Sequence, residues 1–121
     1  MQKKIMIHTA HLENAKLMLT TNENVKELVP TGQMLADSDH FSFIYLMEKE
    51  DEYIFLVLPE PIWPMLNDGL RQNSSVILTC NDEQIELLNF HEELQNLISN
   101  IKGNGNYGNE MVEKVETIFH F

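Results

Sequence analysis

Apolar and polar positions alternate in short runs over the first half of the chain and recur at helical spacing over the second. Residues 4–12, KIMIHTAHL, and residues 16–21, KLMLTT, are two strand candidates, with Glu13 and Asn14 suggesting a hairpin turn between them. Ile5 and Ile7 alternate with Met6 and His8, which marks one face as core. In NENVKELVPTG, Val25, Leu28 and Val29 have helical spacing that Pro30 and Gly32 cut short, predicting a brief helix. A loop or one more turn then carries Met34 and Leu35. Residues 40–60, HFSFIYLMEKEDEYIFLVLPE, are the clearest hairpin: Phe41, Phe43, Tyr45 and Met47 share a face, and Lys49 to Glu52 make a charged tip. The unbroken apolar run 53–58 predicts a central strand covered on both sides, or nearly so.

The segment PEPIWPMLNDGLRQ predicts a helix with Pro61 and Pro64 in its first turn, where backbone N–H groups have no intrahelical partner. Ile62, Leu66 and Leu70 form its stripe. SVILTC and QIELL then make a third hairpin around NDE. In NFHEELQNLISNIKG, Asn89 and Glu92 have capping-box spacing, and Phe90, Leu94, Leu97, Ile98 and Ile101 line one face. Gly103 suits the left-handed position past that helix. A last helix in NEMVEKVETIFHF turns Met111, Val115 and Ile118 to one side. Three hairpins imply an antiparallel sheet, and helices on one of its faces make an α+β domain with two C-terminal helices. No linker or repeat divides the chain, so residues 1–121 are expected to form a single domain.

Composition narrows the function classes. A net charge of −11, with only 8 lysines and arginines, repels phosphate and argues against nucleic-acid binding. The longest apolar run, YIFLVL, is far short of the ~18–20 residues of a membrane helix, and the N-terminus lacks a signal-peptide pattern. With one cysteine, Cys80, no intramolecular disulfide can form, and a cytoplasmic location is the simplest expectation.

Candidate chemistry is sparse. Gly103, Gly105 and Gly108 spell GxGxxG, a dinucleotide-binding spacing. That fingerprint follows a strand, whereas here the strongest helix of the chain precedes it, so the motif reads as a helix end and a turn. Asn104, Asn106 and Tyr107 still make the loop polar enough for a contact site. HEELQ resembles the zinc-protease helix, but Gln95 stands where the second histidine is required, leaving His91 alone. DSDH places Asp37, Asp39 and His40 together, the best polar cluster of the chain. Its simpler reading is a solvated turn in which an aspartate bonds nearby N–H groups. Trp63 is either an exposed anchor for a partner or a pin between helix and sheet. No catalytic constellation, metal site or cofactor motif is assembled.

GQMLADSDHF, residues 32–41, and FHEELQNLISNIKGNGNYGNEMVEKVETIF, residues 90–119, resemble the distinctive stretches of the YjbL-like family of small uncharacterised proteins from Bacillus, Staphylococcus and relatives. The resemblance implies a bacterial, single-domain protein with no assigned activity, cofactor or partner. The expectation is therefore a non-enzymatic interaction or regulatory module. Its candidate contact residues are Asp37, Asp39, His40, Trp63, His91, Asn104, Asn106 and Tyr107. The alternative is a small-ligand or metal-binding protein, or an enzyme, with a site around Asp37, Asp39 and His40, where His40 could meet His91 across the fold. A homodimer through an exposed hairpin edge is a third expectation.

Overall fold

The computed structural model describes residues 3–119. Its strands are β1 (Lys3–Met6), β2 (Thr9–Glu13), β3 (Lys16–Thr20), β4 (Val29–Asp37), β5 (Ser42–Lys49), β6 (Glu52–Pro59), β7 (Ser75–Cys80) and β8 (Glu83–Glu86). Its helices are α1 (Trp63–Arg71), α2 (Phe90–Ile101) and α3 (Asn109–Ile118). The three expected hairpins are β2–β3, β5–β6 and β7–β8, all antiparallel. Two of them turn through consecutive residues of positive φ, Asn14–Ala15 and Glu50–Asp51, whose twist matches that of paired strands.

The α+β class holds, but the single antiparallel sheet does not. Two four-stranded mixed sheets form, in the orders β1-β6-β5-β4 and β2-β3-β7-β8. Each contains one parallel pairing, β1 with β6 and β3 with β7. The N-terminal apolar run, expected to be one strand, changes sheets at Ile7 and His8. The Ile7 N–H donates to Val57 O at 3.1 Å, whereas the His8 N–H donates to Thr20 O at 2.8 Å. The first half thus joins β6 and the second joins β3, a bend that lets one chain segment serve two sheets. Parallel pairings close over long sequence separations and leave no local turn signal.

The expected brief helix around Val25 is absent: residues 21–28 form bends and turns, with Val25 and Leu28 buried. The loop expected at Met34 and Leu35 is instead the strand β4. Pro30 and Gly32, which read as breakers, sit on a sheet edge where the ladder shifts register between Pro30 and Met34. Gly32 has φ +78° there, and a Cβ would lie 2.9 Å from the Leu88 side chain. Helix α2 closes over this bulge, and the Glu93 carboxylate accepts from the Met34 N–H at 3.1 Å. The edge is thereby kept from pairing with another strand.

One apolar cluster joins the inner faces of both sheets to all three helices. α1 supplies Trp63, Leu66 and Leu70, α2 supplies Phe90, Leu94, Ile98 and Ile101, and α3 supplies Met111 and Val115. Phe119 closes an aromatic triangle with Phe43 and Trp63, so the last helix docks on its own chain. The capping box at α2 does not form. Asn89 adopts left-handed φ, ψ of 58°, 16°, and its side chain makes no cap hydrogen bond.

Candidate functional site

Period two sends alternate residues of β5 and β6 to opposite faces. Phe43, Tyr45 and Met47 enter the core, while Ile44 and Leu46 turn outward beside Phe55 and Val57. Among the described residues, this outer cluster draws its buried members from β5 and β6 alone, with no helix contributing. Its flanks are apolar as well. Met6 of β1 aligns with Val57, and Leu35 of β4 aligns with Ile44, so one apolar row crosses all four strands. Met6 is 41% exposed, Leu35 46%, Tyr53 51% and Val29 57%, four of the five large exposed hydrophobic residues described.

The second sheet provides a comparison within the same molecule. Its outer face carries His11, Lys16, Thr20, Thr79, Gln84 and Glu86, around a small buried centre of Met18 and Ile77. That face has the polar composition expected where water covers a sheet. The first sheet's outer face does not.

Carboxylates stand at both ends of this apolar strip. At one end, β4 leads into the DSDH turn. Asp37 Oδ1 accepts from the N–H groups of Asp39 (3.1 Å) and His40 (3.3 Å), and Asp37 Oδ2 lies 2.9 Å from His40 Nδ1. Asp37 thus spends its carboxylate on the turn, the simpler of the two readings of the segment. Asp37 and Asp39 border an open depression of about 360 Å³ floored by Leu35, Ile44 and Phe55, with Lys4 on its other side. At the opposite end, Glu48 and the Glu50–Glu52 turn close the β5–β6 hairpin.

His91 is elsewhere. It borders a separate depression with Ser74, Glu86 and Glu92, and its Nε2 lies 2.7 Å from Ser74 O. Nε2–H is therefore the donor to that carbonyl, while Nδ1 is enclosed without a partner among the described residues. Burial lowers its pKa from the ordinary histidine value, partly opposed by the bond to Ser74. The depressions bordered by His91 and by Asp37 and Asp39 are separate ones. Among the described residues, no group of three or more His, Cys, Asp or Glu side chains is placed to hold a metal ion.

The remaining candidates have structural duties. Trp63 is fully buried, and its Nε1–H donates to Leu58 O at 3.0 Å, so it pins α1 to β6 and offers no exposed anchor. In the glycine loop, Asn104 Oδ1 accepts from the Asn106 N–H at 3.1 Å, and Tyr107 packs against the core. The Gly103 N–H donates to the Glu116 carboxylate at 2.9 Å, and Glu113 lines the same depression. A phosphate arriving there would meet carboxylates, which excludes the dinucleotide reading on charge as well as on topology. Tyr45 is a buried tie: its hydroxyl donates to Leu88 O at 2.6 Å, and its pKa rises to about 12, chiefly through burial, against a backbone hydrogen bond from Gly32.

Sequence reasoning missed the apolar strip because an outward Ile44 or Leu46 reads like a core residue. The usable signal was the unbroken 53–58 run, which demanded a cover on its second face. The described helices do not provide one.

What these features define is a small α+β protein of two mixed sheets, one of which carries an apolar outer face. The chain belongs to a family of unknown function, UPF0738, whose family model matches residues 5–119. It is 45% identical over 121 residues to the UPF0738 protein YjbL of Bacillus subtilis, covering 98% of this chain and 99% of that one. A UPF0738 protein of Bacillus licheniformis is 44% identical over 120 residues, at 98% and 99% coverage. One from Lysinibacillus sphaericus is 43% identical over 121 residues, at 98% and 95%. No solved structure matches the chain.

Proposed function

We propose that this protein is a non-enzymatic interaction module, acting in the cytoplasm, whose contact surface is the outer face of the β1-β6-β5-β4 sheet. The observation that carries this is the set of exposed apolar side chains Met6, Leu35, Tyr53 and Val29 around the buried Ile44, Leu46 and Val57, against the polar outer face of the other sheet. Asp39 and His40 stand at its end and belong to the proposed contact surface. The alternative, a ligand site at Asp37, Asp39 and His40, has an open depression in its favour but no convergent third group, and the strip supports the first reading better.

A photo-crosslinking amino acid placed at position 35 or 53 tests this, with position 11 on the outer face of the second sheet as control. A discrete protein adduct formed in the source cells from 35 or 53 and not from 11 is expected. Equal adducts from both faces, or none from either, would count against the reading.

A further inference from the structure

The partner's chemistry follows from charge. Resting on the contact face just proposed, we infer that the strip receives an amphipathic helix of another protein, with an apolar stripe flanked by lysine or arginine. The face has no unpaired strand edge in its middle, because β5 and β6 both have neighbours on each side. It can take side chains and not an added strand, and helices are the elements that cover sheet faces. An eight-residue strand such as β6 and an 18-residue helix are both about 27 Å long, so one helix spans the strip.

The ends of the strip choose the sign. Asp37 and Asp39 stand at one end, and Glu48, Glu50, Asp51 and Glu52 at the other. Lys3, Lys4 and Lys49 are the amines on these strands, and the carboxylates outnumber them. This pattern argues against a second copy of the chain as the cover. A two-fold axis along the strands would set each acidic end on its own equivalent, and an axis across them would set one acidic end on the other. Carboxylates meet carboxylates in either arrangement, on molecules that each carry a net charge of −11. A basic helix meets them with opposite charge, which suppresses wrong partners and speeds encounter.

The test uses the purified full chain and two synthetic 18-residue peptides. Both carry the same leucine stripe at helical spacing, one with lysine and one with glutamate at every polar position. Binding is followed by fluorescence anisotropy, with amide chemical shifts to locate it. The lysine peptide is expected to bind, shifting amides of β1, β4, β5 and β6, and the glutamate peptide is not. Met6→Ser and Leu35→Ser, both at exposed positions, should each weaken binding about tenfold, the size of a hot-spot contact. His11→Ser on the other sheet should leave it unchanged. Asp39→Asn should weaken binding and flatten its salt dependence. Equal binding of both peptides, shifts scattered over the acidic surface, or light scattering that shows a dimer shielding the strip would each overturn the inference. Crosslinks from position 35 together with failure of the lysine peptide would leave the contact face standing and remove only the basic helix.

Discussion

His91 shows how one side chain can look catalytic and act as a strut. Its ring edge meets Phe90 at 5.8 Å between centroids, its Nε2–H is given to Ser74 O, and its Nδ1 is enclosed. Burial lowers its pKa in the fold, so the unfolded chain binds a proton more readily. Stability therefore falls as pH drops through the unfolded value of about 6.5 and levels off below the folded value. The bond to Ser74 O acts in the opposite sense, and Glu86 and Glu92 border the same depression. Urea unfolding of His91→Phe should show a loss of about 1 kcal/mol at pH 7.5, the worth of the bond to Ser74. That deficit should shrink toward pH 5, because the variant has no ring to protonate. A deficit independent of pH would mean that His91 titrates alike in both states.

The β4 edge is held in place by ties to α2 and the loop before it. Its bulge places Gly32 at φ +78° against Leu88 and Asn89, Tyr45 reaches Leu88 O, and Glu93 takes the Met34 N–H. These ties come from α2 and the loop before it, so the edge and the helix should stabilise each other. Gly32→Ala meets both a left-handed backbone and a contact that a Cβ cannot make, and should destabilise by about 1–3 kcal/mol. Hydrogen exchange would show how the damage is distributed: the largest acceleration is expected in β4 and the first turn of α2, with β7 speeded only by the loss of global stability. Uniform acceleration across the chain would deny β4 and α2 their separate coupling.

Across the whole molecule, a single apolar cluster runs through both sheets and every described helix. The strand that switches sheets at Ile7 and His8 ties the two halves covalently as well as by packing. The two sheets should therefore unfold together, with the full chain behaving as one domain. Differential scanning calorimetry should give one transition whose calorimetric and van't Hoff enthalpies agree, as for most single domains of this size. Two resolved transitions would divide the protein between its sheets. The open face does not enter that core, so substitutions such as Leu35→Ser should leave the transition temperature nearly unchanged.

Local patterns read directly from the chain were the ones whose physics is local. The β5–β6 alternation, the stripes of α1 and α2, the proline entrance to α1 and the left-handed Gly103 all depend on residues a few positions apart. The Asp37 turn belongs with them, since its hydrogen bonds close within three residues. Family membership was equally legible, because it rests on sequence alone. Pairing over distance was not. Pro30 and Gly32 mark a break unless a partner strand and α2 turn them into a bulged edge, and Ile7 and His8 look continuous until two different strands claim their N–H groups. The open face is the same kind of fact. Ile44 and Phe43 are equally apolar neighbours, and only the arrangement of the helices decides which one joins the helix-covered core and which one is buried among its strand neighbours on the outer face.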